Sequence, residues 1–254
     1  MTHDPNASPL LQLDSLNFGY DQHTPILEDF NWTINEGETW SILGASGSGK
    51  TTLLYLMAGL RQLQSGTIQF MDDMITRPHD DISLMLQTYG LLDWLTAERN
   101  VQLGLKIRGV PKADRHRIRA QWLERMQISN IATRYPAQLS GGQRQRVALA
   151  RVLALETRVL LLDEPLSAVD ELTRERLQKT LWEITRELGV TLIMVTHSVE
   201  EAALLTDNTL IFPDEVPVST AQIIRSPFAG KAMPTRDNPD FHGYCASIRR
   251  TLGL

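Results

Sequence analysis

The sequence predicts an α/β domain built on a mainly parallel sheet, and three observations carry that prediction. A glycine-rich loop, Gly44-Ala45-Ser46-Gly47-Ser48-Gly49-Lys50-Thr51, stands between Thr39–Leu43, which reads as a strand, and residues 52–58, which read as a helix. Two continuous apolar runs, residues 159–162 and Thr191–Val195, have the composition of strands covered on both faces. Between residues 87 and 148 strand patterns are scarce and apolar residues recur at helical spacing, which predicts helices inserted into the sheet domain.

Taken in order, residues 11–18 and 30–34 alternate apolar and polar side chains and read as half-exposed strands, the second ending at a Glu36-Gly37 turn. In the glycine-rich loop, backbone N–H groups converge on phosphate oxygens without side-chain obstruction, Lys50 supplies a point charge and the Thr51 hydroxyl faces magnesium. The helix that follows turns its positive dipole end toward the phosphates. Gln87 follows the apolar run 82–86 at the hand-over to the helical region. Residues 112–127 place Ile118, Trp122, Leu123 and Met126 on one helical face, with Pro111 at the start. Leu139-Ser140-Gly141-Gly142-Gln143 opens the helical run 143–154, so its backbone N–H groups and the Ser140 hydroxyl form a second anion site at a helix N-terminus. The apolar run 159–162 ends in Asp163-Glu164 at the carboxyl edge of the sheet, where α/β ligand sites open. There Asp163 can hold magnesium through its hydration shell, and Glu164 can polarise an attacking water. The run 191–196 ends at His197. Five prolines between Pro213 and Pro239 predict an irregular tail, closed by a helix with Phe241, Tyr244, Cys245, Ile248 and Leu252 on one face.

At 254 residues and 42% apolar content, one composite domain is expected. A net charge of −5 argues against a basic nucleic-acid-binding face. The single cysteine, Cys245, excludes an intramolecular disulfide. Residues 1–10 have no apolar core and do not read as a secretory signal. The richest apolar stretch, 147–162, is interrupted by Arg151, Glu156 and Arg158, so a membrane role would require other chains to cross the bilayer.

Together, the phosphate loop and the Leu139 to Gln143 string resemble those of the ATP-binding subunit of an ATP-binding cassette (ABC) transporter, and the resemblance covers residues 10–212. It implies a P-loop NTPase (RecA-like) core with an N-terminal antiparallel β subdomain and an inserted α-helical subdomain. The ATPase domain would span residues 8–215, with the helical insertion at about 88–148 and a tail at 216–254. ATP and Mg2+ are the implied cofactors. The resemblance assigns Lys50, Gln87, Glu164 and His197 to catalysis and Thr51, Gln87 and Asp163 to the metal. The whole loop from Gly44 through Ala45 to Thr52 belongs to nucleotide binding, with Tyr20 stacking on adenine. Ser140, Gly141, Gly142 and Gln143 would complete the nucleotide site of a second cassette. Ser167-Ala168-Val169-Asp170 resembles the loop that crosses that dimer interface.

The resemblance further implies a homodimer on the cytoplasmic face of the inner membrane, bound to permease subunits fed by a substrate-binding protein outside. Residues 90–101 and the stretch Pro239-Asp240-Phe241 are similar to the nitrate, sulfonate and taurine importer group, which points to import of a small solute of that kind. An exporter or lipid-handling system is the alternative, since its ATPase would look much the same, and a non-transport ABC ATPase is a third. Between residues 87 and 101, Tyr89, Leu91, Leu92, Trp94 and Leu95 are more large apolar side chains than an exposed loop needs. Trp94 is the expected anchor for a permease helix, with internal packing the other reading.

Overall fold

A computed structural model describes residues 9–21 and 23–254. The alternating N-terminal segment folds as β1 (Leu11–Gly19) and β2 (Pro25–Ile34), which pair antiparallel. Leu13 and Leu16 are both buried although three residues apart, because the register shifts between them and Ser15 adopts a positive φ of 48°. The bulge keeps the apolar side chains on one face. After β3 (Thr39–Leu43) and helix α1 (Lys50–Met57), β4 (Ser65–Phe70) and β5 (Asp73–Met74) complete a four-stranded antiparallel sheet in the order β2-β1-β4-β5.

Next come β6 (Ile82–Met85) and the helices α2 (Ala97–Val101), α3 (Leu103–Ile107), α4 (Lys112–Arg125) and α5 (Gly141–Leu153). No strand interrupts this helical stretch among the described residues. The chain then alternates: β7 (Val159–Asp163), α6 (Glu171–Leu188), β8 (Thr191–Val195), α7 (Val199–Leu205) and β9 (Asn208–Ile211). The tail supplies β10 (Gln222–Arg225) and α8 (Pro239–Thr251). The six-stranded sheet has the order β10-β9-β3-β8-β7-β6, parallel throughout except that β10 runs against β9.

Every residue of β3, β7 and β8 is buried, as the apolar runs of β7 and β8 require, while in β3 the buried hydroxyls are paired, Thr39 accepting from Asp207 N–H and Ser41 donating to Thr209 Oγ1. Successive side chains feed two cores. Leu160, Leu162, Leu192 and Met194 pack toward the helical insertion and α8. Leu161, Ile193 and Val195 pack toward α1 and the antiparallel sheet. The phosphate loop therefore leaves β3 between two packed layers.

The stretch between Pro213 and Pro239, read from its prolines as irregular, contains one short strand because β10 takes up the outer hydrogen bonds of β9. Val218, fully buried, also bonds to β2 through Ile26 and Glu28. Helix α8 buries the face expected of it, with Phe241, Tyr244, Cys245 and Ile248 inward. Its Tyr244 hydroxyl meets Thr209 Oγ1 at 3.2 Å, and Thr209 in turn accepts from Ser41 Oγ at 3.0 Å, so a buried hydroxyl chain ties the C-terminal helix to the central sheet. Removing only the terminal hydroxyl in Tyr244→Phe is expected to cost about 1 kcal/mol in urea denaturation, whereas Tyr244→Ala, which also leaves a cavity, should cost roughly 3–5 kcal/mol.

Candidate active site

Parallel pairing aligns Met85 with Leu162 and Leu162 with Met194. Gln87 and Glu164 thus each stand two residues beyond a matched pair, and His197 stands three beyond. Glu164 turns out of β7 with φ at +49°, a left-handed conformation rare for a side-chain-bearing residue and held here by its N–H bond to Val195 O at 3.0 Å. The turn carries its carboxylate across the sheet edge. Gln87 Nε2 donates to Glu164 Oε1 at 3.0 Å, and His197 Nε2 lies 2.8 Å from the same oxygen.

Opposite this carboxylate is the glycine-rich loop. Gly44 (φ +150°) and Gly49 (φ +95°) cannot accept a side chain: a Cβ on the first would lie 2.9 Å from Phe212 O, and on the second 2.5 Å from Ile26 Cγ2. Lys50, only 5% exposed, donates from Nζ to Gly44 O at 2.9 Å and Ala45 O at 2.5 Å. Burial lowers its pKa, while the negative charges of Glu164 and Asp163 oppose that shift. Thr51 Oγ1 donates to Asp163 Oδ1 at 3.2 Å, whereas Asp163 Oδ2 is buried with no hydrogen-bond partner. Burial raises the Asp163 pKa, against the Thr51 bond and with help from the nearby Glu164 charge.

These groups border a cavity of about 350 Å³ lined by Tyr20, Ile26, Ser46, Gly47, Gly49, Lys50, Thr51, Thr52, Gln87, Glu164, Val195 and His197. Tyr20, 57% exposed, is steadied at the rim by its hydroxyl on Thr52 Oγ1 at 3.1 Å and by the Arg61 guanidinium 5.6 Å from its ring centre. Gly44, Ala45 and Ser48 form the back of the loop, and Asp163 reaches the cavity through Thr51. Ser140, Gly141, Gly142, Gln143 and Asp170 are not among the lining residues. Ser140 caps α5, accepting from Gln143 N–H at 3.2 Å while Gln143 Oε1 accepts from Ser140 N–H at 3.0 Å. Asp170 caps α6 through Thr173 N–H at 3.0 Å, and hydrogen bonding from the Thr173 side chain first, then from its N–H, lowers the Asp170 pKa.

Several supporting residues had no sequence motif to mark them. Arg151 donates to the carbonyls of Tyr89 and Gly90 at 2.6 and 2.7 Å, anchoring the turn after Gln87 to α5. Buried Asn100 accepts from Leu92 N–H and donates to the carbonyls of Leu92, Leu95 and Thr96. It folds the segment that displays Trp94, which at 71% exposure is a surface residue and not an internal packing group. Arg174 holds the Leu166 and Val169 carbonyls, and Glu201 accepts from the Thr196 hydroxyl next to His197. A sequence signal existed only for Arg151, a charge set in an otherwise apolar helical run.

A phosphate loop at the carboxyl end of a parallel sheet, an acidic strand end facing it and a capped helix N-terminus outside the cavity agree with the family model described as "ABC transporter", which matches residues 27–167. The chain belongs to the ABC transporter family. The cassette is 41% identical over 205 residues to a taurine import ATP-binding protein of Escherichia coli O157:H7, covering 80% of each chain. It is also 41% identical over 214 residues to a spermidine/putrescine import ATP-binding protein of Haemophilus influenzae (strain 86-028NP), covering 83% of this chain and 57% of the relative's length. Among solved structures it resembles the dimeric ATP-binding cassette MJ0796 in a post-hydrolysis state bound to ADP and Pi, with a TM-score of 0.76, 28% identity, and coverage of 85% of this chain and 98% of that one. The P-loop NTPase fold expected from the sequence is therefore present, with its antiparallel sheet and helical insertion.

The buried Asp163 carboxylate gives a pH-dependent prediction. A carboxyl whose folded pKa is raised binds its proton more tightly in the native state, so its ionisation destabilises the fold as pH rises through the carboxylate range. Asp163→Asn removes that charge and keeps an acceptor for Thr51. Thermal melts of the nucleotide-free protein should show the variant a few degrees more stable near neutral pH, with the advantage disappearing toward about pH 4.

Proposed function

We propose that the cassette binds and hydrolyses ATP to power an ABC importer of a small solute, of the taurine and sulfonate type. The observation that carries this reading is the Glu164 carboxylate, held by Gln87 and His197 at the mouth of the cavity that begins at Lys50. The loop N–H groups and Lys50 bind the β- and γ-phosphates, and Tyr20 offers its ring to adenine. Glu164, half-buried where it lines the cavity, orients and polarises the attacking water. His197 and Gln87 fix the carboxylate oxygen and sense the γ-phosphate. Asp163, with one buried oxygen unpaired and the other on the Thr51 hydroxyl, would hold magnesium together with Thr51 and Gln87. Magnesium bound there would neutralise charge on the phosphates.

Ser140, Gly141, Gly142 and Gln143 lie outside this cavity, which supports their serving the nucleotide of a second, head-to-tail copy, with Asp170 near that interface. The dimeric state named for the similar cassette favours the same arrangement. Residues 8–215 form the ATPase domain in this reading, with the helical insertion at 88–148, and residues 216–254 are an appended segment whose β10 and α8 brace it. No helix among the described residues is long and apolar enough to cross a membrane. The cassette would therefore sit peripherally on permease subunits at the cytoplasmic face of the inner membrane, supplied by an external substrate-binding protein. The taurine-type assignment rests on the coverage of 80% of that relative, against 57% for the polyamine one.

Glu164→Gln keeps the size and hydrogen bonding of the side chain but removes the base. Steady-state ATPase assays are expected to fall by about 10²-fold or more while ATP-dependent dimerisation, followed by size-exclusion chromatography, persists. Parental turnover would refute the role of Glu164.

Exposed Trp94 is the proposed anchor for a permease helix, of the kind that contributes about 2 kcal/mol or more at an interface. Trp94→Ala should leave melting temperature and basal ATPase unchanged and abolish solute uptake in reconstituted vesicles. Normal uptake, or a loss of stability alongside lost uptake, would remove it from that role.

A further inference from the structure

We propose that Gln145 is a positioning residue through which helix α5 sets the placement of Glu164, an inference that rests on the base role given to Glu164 above. Gln145 lies on α5, five residues beyond the Ser140 cap, and is completely buried. Its amide makes two bonds, both to main chain: Nε2 donates to Glu164 O at 3.1 Å, and Oε1 accepts from Ala168 N–H at 3.2 Å. The carbonyl requires a donor and the N–H an acceptor, so the partners fix the orientation of the amide.

The segment it grips is the strained one. Glu164 sits at φ +49°, and the next residues turn at once into the loop that runs to Asp170. On the far side of that loop, Arg174 donates to Leu166 O and Val169 O at 3.3 and 3.0 Å. Residues 164–169 are thus held between one side chain from α5 and one from α6. The first turn of α5 is close packed on the same segment, since a Cβ on Gly142 would meet Val169 Cγ1 at 3.1 Å and Ala168 O at 3.3 Å. A displacement of the Ser140 end of α5 must therefore move the Glu164 main chain, or break the Gln145 bonds. This gives the anion site at Ser140 a direct mechanical path to a carboxylate whose own side-chain partners, Gln87 and His197, come from other strands.

The test is a double-mutant cycle. Gln145→Met keeps the length and burial of the side chain and removes both bonds. Its kcat for ATP should fall about 10-fold or more while KM stays within about twofold, because orientation of the water-polarising group is lost and the phosphate loop is untouched. In a Glu164→Gln background the same substitution should cause no further loss of the residual rate, since a residue acting through Glu164 has nothing left to position. An equal loss in both backgrounds would mark Gln145 as merely structural and overturn the proposal, as would an unchanged kcat. If the methionine variant does not fold, Gln145→Glu, which retains an acceptor for Ala168 but no donor for the Glu164 carbonyl, is held to the same criteria. Parental turnover in Glu164→Gln alone would instead refute the base assignment and the inference with it.

Discussion

Because β6, β7 and β8 pair in parallel with Met85, Leu162 and Met194 side by side, the chain leaves the sheet at one level on three neighbouring strands. Much of the site follows from that register. A one-residue slip of any strand would turn its apolar residues into the opposite core and carry its terminal polar residue away from the common oxygen of Glu164. The same alternation that sends Leu160 and Leu162 to one core and Leu161 to the other therefore also fixes which side chains converge. Beside them, β3 pairs Ile42 with Val195, so the phosphate loop starts at nearly the same height. Binding loop and carboxylates face one another because four strands end together.

Burying strands on both faces leaves their charged ends in a poorly solvated groove. Lys50 and Asp163 are both shifted toward their neutral forms by burial, and each is partly restored by the other's charge. Such a site carries unmet electrostatic demand. The lone Asp163 oxygen and the ammonium on loop carbonyls express that demand in opposite signs, which suits a ligand that is both anionic and metal-bound. Fold stability and ligand readiness are set against each other in these two side chains.

Lys50, Thr51, Glu164 and His197 were legible in the sequence because each follows a recognisable local pattern, a glycine string, an apolar run ending in acid or an apolar run ending in histidine, whereas Tyr20 and Gln87 were marked only by the family resemblance and Ile26 by nothing. Two properties of the chain hid the rest. Gln145 and Arg174 bond to main-chain carbonyls or N–H groups, and such contacts leave no complementary residue type elsewhere to be noticed. The strand β10 is only four residues long and flanked by prolines, so local composition argued against it while the open side of β9 favoured it. Trp94 could be read either as filling a core or as facing outward, and the choice depended on Asn100, whose bonds fold the preceding loop back on itself.

The strand β10 has a further consequence for any shortened form of the protein. It runs along β9, whose Leu210 and Ile211 belong to the buried sheet. Ending the chain near Phe212 would strip that side and leave a row of unpaired backbone donors and acceptors beside apolar side chains. Exposed sheet edges of this kind template intermolecular strand pairing. A trimmed cassette could keep every nucleotide-contacting residue and still be lost to self-association, so the C-terminal segment acts as a guard for solubility as much as a structural appendage.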